Sequence, residues 1–72
     1  MPLTLMVNGE TRELDPAPES ASLAAVVARL ANNPQLVVVE HNGVIAPRSR
    51  WDSILVKDDD TLEIVTIVGG GS

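Results

Sequence analysis

The residues of this chain that could take part in chemistry are few, and the most unusual of them are its last: Gly69-Gly70-Gly71-Ser72, running on from the apolar set Leu62, Ile64, Ile67 and Val68. Glycine carries no Cβ, so such an end can be threaded into an active site too narrow for any side chain, with its terminal carboxylate open to attack. The same residues also read as a frayed end or the start of a Gly/Ser linker. Other chemistry is scarce. His41 is the sole histidine and there is no cysteine, so the chain has no imidazole pair for a metal, no thiol nucleophile and no Ser/His dyad with a histidine to spare. His41 itself reads as a surface or turn residue at a strand end. Glu10, Glu13, Asp15 and Glu19 fall in an exposed hairpin or loop and read as a solvated face. The glycine run follows a strand instead of joining strand to helix, so it is no phosphate loop. Asp58-Asp59-Asp60 could hold a hard cation, but no glycine or further ligand stands at EF-hand spacing, and an acidic turn is the better reading. Arg48 and Arg50 make the only dense positive spot. They read either as a solvated loop or as a docking contact for an acidic or phosphate-bearing partner, which the forked guanidinium suits. Trp51, the one large aromatic, reads as a core or edge anchor.

Composition narrows the classes further. Seventy-two residues make one domain near the lower limit at which a single core holds without staples, with little room for a catalytic cleft. Ten acidic against five basic residues leave a formal charge of −5, which repels phosphate backbones and anionic lipid heads. With one Trp and no Phe or Tyr, no aromatic platform can stack bases either, so nucleic acid is not expected as a partner. No apolar run approaches the roughly 18 residues of a membrane span, and Met1-Pro2-Leu3-Thr4 has no basic leader. The expectation is a soluble, cytoplasmic protein with no membrane partner, and the absence of cysteine fits that compartment.

The elements that must position the tail follow from the apolar pattern. Leu3, Leu5 and Val7 alternate, and Asn8-Gly9 supplies the positive-φ pair of a type I′ turn, which predicts a hairpin of strands 3–8 and 10–15. Asp15-Pro16-Ala17-Pro18-Glu19-Ser20 reads as a loop. Ser22 is a good N-cap, and Leu23, Val26, Val27 and Leu30 fall on one helical face, with Ala24, Ala25, Ala28 and Arg29 opposite. Asn32-Asn33-Pro34 should end that helix of about ten residues, since the residue before proline avoids the helical region. Leu36 to His41 reads as a mostly buried strand. Asn42-Gly43 is a second turn, Val44-Ile45 follows, and Ile54-Leu55-Val56 is a short strand or irregular piece before the acidic turn and the last strand. A hairpin, one helix, then further strands describe a mixed sheet clasping a helix, with the last strand in the middle beside the first. The predicted fold is α+β: a ubiquitin-like β-grasp of four to five strands on one main helix. Its domain covers residues 1–68, followed by a flexible glycine-rich tail, 69–72. A ferredoxin-like fold would need a second helix that residues 42–60 do not supply.

On these residues the chain resembles the ThiS family of sulfur carriers in thiamine thiazole synthesis, and more distantly the MoaD carriers of molybdopterin synthesis. The resemblance rests on Val7-Asn8-Gly9-Glu10, on Val39 to Arg48 followed by Trp51, on Val56-Lys57-Asp58-Asp59-Asp60, and on the terminal glycines. The Pro47-Arg48-x-x-Trp51 piece and the diglycine end are its specific parts. Two departures stand out. The family's usual Asp-Gly-Asp is Asp58-Asp59-Asp60 here, which strains a turn position, and Ser72 follows the glycine at which the family's carriers end.

The resemblance implies a protein co-substrate, not an enzyme. A ThiF-like adenylating enzyme would use ATP to activate the carboxylate of Gly71, or of Gly70 if one more residue is removed. A cysteine desulfurase relay would supply sulfur for a thiocarboxylate, and a ThiG-like thiazole synthase would receive it. No cofactor is expected on the carrier itself. Gly69, Gly70 and Gly71 would thread into the partner, while Ile67, Val68, Arg48 and Arg50 would dock against it. Two other readings remain open: a carrier for molybdopterin or tRNA thiolation, and a non-catalytic ubiquitin-like interaction module.

Overall fold

The computed structural model describes residues 2–67, so the expectations for Val68, Gly69, Gly70, Gly71 and Ser72 lie outside the described residues. The chain forms β1 (Leu3–Val7), β2 (Glu10–Leu14), α1 (Leu23–Leu30), β3 (Val37–His41), β4 (Val44–Ala46) and β5 (Thr61–Thr66), with 3₁₀ turns at Pro34–Leu36 and Arg48–Arg50. The five strands make one mixed sheet in the order β2-β1-β5-β3-β4. β5 is the last strand in sequence and the middle one in space. It runs parallel to β1, with Val7 opposite Leu62, and antiparallel to β3, from Val37 opposite Thr66 to His41 opposite Leu62. This is the predicted α+β, ubiquitin-like β-grasp arrangement.

Both hairpins turn on Asn-Gly, as the pattern predicted: Asn8 and Gly9 have φ of 51° and 82°, Asn42 and Gly43 of 52° and 85°. That pair of positive φ values is what lets two residues reverse a chain with the twist of its strands. Helix α1 opens on Ser22, whose Oγ accepts from the Ala25 N–H at 3.2 Å. It is shorter than predicted. Ala31 is already extended at φ −111°, ψ 138°, while its N–H still donates to the Val27 carbonyl, so the helix stops before the asparagines and Pro34 opens a 3₁₀ turn instead. Ile54-Leu55-Val56 forms no strand beyond a single antiparallel bridge, Ser22 to Leu55.

One face of the sheet carries the core. Leu3, Leu5, Val7, Val37, Val39, Ala46 and Leu62 bury against Leu23, Val26 and Val27 of α1, with Leu14, Trp51 and Val56 closing the ends. The other face has no layer on it among the described residues. β3 is therefore not the mostly buried strand its Val-Val-Val run suggested, since Val37 and Val39 point inward while Val38 is exposed. A strand pleats with period two, so one helix can bury only alternate residues.

Candidate functional site

The strand that leads into the glycines is held unusually firmly for a terminal segment. β3 pairs with it along its whole length, and beyond Thr66 the Ile67 N–H donates to the Leu36 carbonyl at 2.6 Å. On the β1 side the pairing would end early, because β1 turns back at Asn8. Asn8 continues it with its own side chain: Nδ2 donates to the Ile64 carbonyl at 3.0 Å and Oδ1 accepts from the Ile64 N–H at 2.7 Å. Asn42 does the same at the opposite end of β5, with Oδ1 accepting from the Thr61 N–H at 2.8 Å. Sequence reasoning read both asparagines only as turn formers. Their second role depends on β5 lying between the two turns, which neither turn's local sequence reveals.

The acidic stretch is a structural turn. Asp58 Oδ1 accepts from the Thr4 N–H at 2.9 Å, and the Asp59 N–H donates to the Thr4 carbonyl at 2.8 Å, tying the turn to β1. Asp60 Oδ2 accepts from the Lys57 N–H at 2.9 Å and meets His41 Nε2 at 2.8 Å. Burial opposes ionisation of Asp60. The hydrogen bonds from His41, the Lys57 amide and Asn42, with the charge of His41, nevertheless hold its carboxyl below the usual value. His41, read as a surface or turn residue, is thus a half-buried partner of Asp60. No three His, Asp or Glu groups are placed to hold a metal ion among the described residues. Asp59, at φ 70°, sits where the left-handed backbone favours glycine, the strain expected from Asp in place of Gly.

Of the predicted docking residues, Ile67 and Arg48 both bond to the segment from Pro34 to Val37. Ile67 is exposed at the end of β5. Arg48 is turned toward its own chain: Nη2 donates to the carbonyls of Pro34 at 2.9 Å and Val37 at 3.1 Å, and Cζ lies 4.4 Å from the centroid of the Trp51 ring. Trp51 is buried, as an anchor should be, and its Nε1–H donates to the Ala46 carbonyl at 3.0 Å. Arg48 is therefore neither simply solvated nor wholly free. It joins the loop after β4 to the start of β3, keeping its remaining N–H donors for other contacts. Arg50 is exposed in the same 3₁₀ turn and makes no side-chain hydrogen bond among the described residues.

The sheet's open face holds residues that sequence reasoning did not single out. Val38 lies directly opposite Val65, Glu40 lies opposite both Glu63 and Ile45, and Ile67 continues the row. Val65, Ile45 and Ile67 are each more than half exposed, at 60%, 63% and 53%. The available signal was the unbroken Val37-Val38-Val39 run, which is apolar on both parities. A cleft of about 340 Å³ opens on the helix side, lined by Val7, Asn8, Arg12, Leu30, Val37 and Ile64 among others. It contains no nucleophile or acid–base pair.

A ubiquitin-like domain whose last described strand is also its central one has the form of a small protein carrier. The profile of the ThiS family matches residues 5–71, and the chain belongs to that family. Its fold superposes on the thiamine biosynthesis protein ThiS from Geobacter metallireducens with a TM-score of 0.79 at 34% identity, over 96% of this chain and all (100%) of that one. It is 37% identical over 70 residues to a thiazole synthase from Paramagnetospirillum magneticum, covering 97% of this chain but only 21% of that protein. It is also 33% identical over 69 residues to an uncharacterized protein, ycf40, of Pyropia yezoensis, covering 96% of this chain and 93% of that one. The chain thus spans about a fifth of the thiazole synthases it matches and 93% of the Pyropia yezoensis protein.

Proposed function

We propose that this protein carries sulfur for the thiazole of thiamine as a thiocarboxylate at its C-terminal glycine. The observation that carries the reading is the placement of β5, clamped on both edges by β3, Asn8 and Asn42, so that whatever follows Ile67 leaves from a rigid base. The glycines after it present a carboxylate without side-chain hindrance.

In this reading a ThiF-like enzyme brings the carboxylate oxygen onto the α-phosphorus of ATP, and pyrophosphate leaves. The acyl adenylate is a strong electrophile, so the carrier need supply no catalytic group, and the enzyme provides the donors for the developing charge. A persulfide sulfur from a cysteine desulfurase relay then displaces AMP from the acyl carbon. A second thiol must break the resulting S–S bond to release the thiocarboxylate. Transfer of that sulfur to a thiazole synthase is supported by the two thiazole synthase relatives, in which the stretch similar to this chain forms 21% and 20% of the polypeptide. Ser72 must first be removed, leaving Gly71 or, after one more residue, Gly70 as the reactive end.

The test is the intact mass of the chain recovered from its native cells under conditions that keep a thioacid. A species ending at Gly71 or Gly70, heavier by the exchange of one oxygen for one sulfur, is expected. A chain carrying only an unmodified Ser72 end would overturn the reading and leave an interaction module. Gly71→Val should leave the urea midpoint unchanged yet abolish ATP–pyrophosphate exchange by the adenylating enzyme, because a side chain there blocks threading. Equal exchange by both forms would remove the threading argument.

A further inference from the structure

Both hairpins of the sheet turn on Asn-Gly, and that dipeptide brings a covalent hazard along with its conformation. The glycine leaves its own peptide nitrogen unshielded, and that nitrogen can attack the side-chain carbonyl carbon of the asparagine before it. The new C–N bond closes a five-membered succinimide. The side-chain nitrogen leaves as ammonia, carrying away the proton of the glycine N–H. Water then opens the ring at one of its two carbonyl carbons, giving aspartate or isoaspartate. All of this requires a carboxamide free to swing over the peptide that follows it.

The two turns differ in how that carboxamide is held. At Asn8 both of its ends are engaged by a single residue of β5: Nδ2 donates to the Ile64 carbonyl at 3.0 Å, and Oδ1 accepts from the Ile64 N–H at 2.7 Å. At Asn42 only Oδ1 has a close partner, the Thr61 N–H at 2.8 Å, while Nδ2 stands 3.5 Å from His41 Nε2. The backbones are nearly the same, with φ of 51° and 82° at Asn8 and Gly9 and of 52° and 85° at Asn42 and Gly43. Turn conformation therefore does not distinguish the two sites. The grip on β5 does.

We propose that Asn8 is a concealed deamidation site, shielded while its carboxamide is bonded to Ile64 and open to ring closure whenever that part of β5 comes away. Neither product restores the clasp. Aspartate sets a carboxylate oxygen, which has no hydrogen to donate, against the Ile64 carbonyl. Isoaspartate also routes the main chain through Cβ, adding one atom to a two-residue turn whose length fixes the register of β1 against β2. Loss of ammonia makes the change one-way, so position 8 records that β5 has been displaced. The inference holds whatever the chain end carries. In a carrier, it bounds the working life of the strand that leads to the tail.

The experiment incubates the full chain in mildly alkaline buffer, folded and in urea, and follows conversion by peptide mapping with fragmentation, which separates Asn8 from Asn32, Asn33 and Asn42. Each folded-state rate is divided by the rate at the same site in urea, which removes the effect of neighbouring sequence. Both sites should be slowed by folding, and Asn8 roughly three- to tenfold more than Asn42, the factor that one further neutral hydrogen bond supplies. The fraction converted at position 8, resolved from its parent by ion exchange, should unfold at a lower urea midpoint, and Asn8→Asp should share part of that loss. Equal slowing at the two sites, or greater slowing at Asn42, overturns the inference, because turn geometry alone would then be the shield. So does a converted fraction that unfolds at the parent's midpoint, since the clasp would then survive the change.

Discussion

Arg48 and Asp59 show how much one side chain can decide in so small a domain. The guanidinium of Arg48 lies on the Trp51 ring and donates to two carbonyls at the start of β3, a planar, forked contact that an ammonium cannot reproduce. Arg48→Lys should therefore lower stability by about 1 kcal/mol despite the conserved charge, because charged hydrogen bonds at a partly exposed site are lost. Urea unfolding would check this, and an unchanged midpoint would return Arg48 to a purely solvated or docking role. Asp59→Gly should raise stability by about 0.5–1 kcal/mol, since glycine adopts φ 70° without the Cβ penalty. A lower midpoint would show that the Asp side chain matters more than the backbone it strains. The strain at Asp59 was legible only through the family resemblance, which puts a glycine at that position. The clasp made by Arg48 was not, because its acceptors lie 14 and 11 residues away and only the folded chain brings them near.

At the scale of elements, the asparagines and the acidic turn decide where β5 sits. Asn8 and Asn42 were legible as turn residues because positive φ is a property of the dipeptide. Their grip on Ile64 and Thr61 was hidden in the topology. Helix α1 was placed correctly by its apolar spacing and its Ser22 cap. Its end came early because Ala31 went extended before the asparagines could act. The turn from Lys57 to Asp60 is pinned through a carboxyl whose folded pKa lies below the usual 3.8. A depressed carboxylate pKa means that the unfolded chain takes up the proton more readily. Its stabilisation is therefore complete above about pH 3.8 and is lost as the pH falls through the lowered folded value. The stability gap between the wild-type chain and Asp60→Asn should be open at pH 6 and close as acid takes the solution below that point. A gap that stayed constant down to pH 2 would show that the carboxylate's charge is not what pins the turn.

For the molecule as a whole, the buried core lies between Leu3 and Leu62, so under the proposed function stability and chemistry reside in different parts of the chain. Truncation after Val68 should shift the melting midpoint by less than about 3 °C, in line with a surface change of no more than ~0.5 kcal/mol, while abolishing sulfur loading. A larger loss would show that the last residues support the fold. The β-grasp was legible because hairpins, helix and strands each announce themselves locally and few topologies fit that order. The acidic pair on the open face was not, because register between strands far apart in sequence decides which side chains meet.

The place of β5 has a consequence for how the protein is made. The β1–β2 hairpin is joined to the β3–β4 hairpin only through the final strand. Until β5 has been made, the nascent chain holds two hairpins and a helix with a gap where the middle of the sheet belongs, and long-range closure of that kind comes last. A chain cut before β5 cannot complete its fold and is open to proteolysis. Completion of the sheet acts as a proofreading step, certifying that β5 has been made before the domain becomes recognisable.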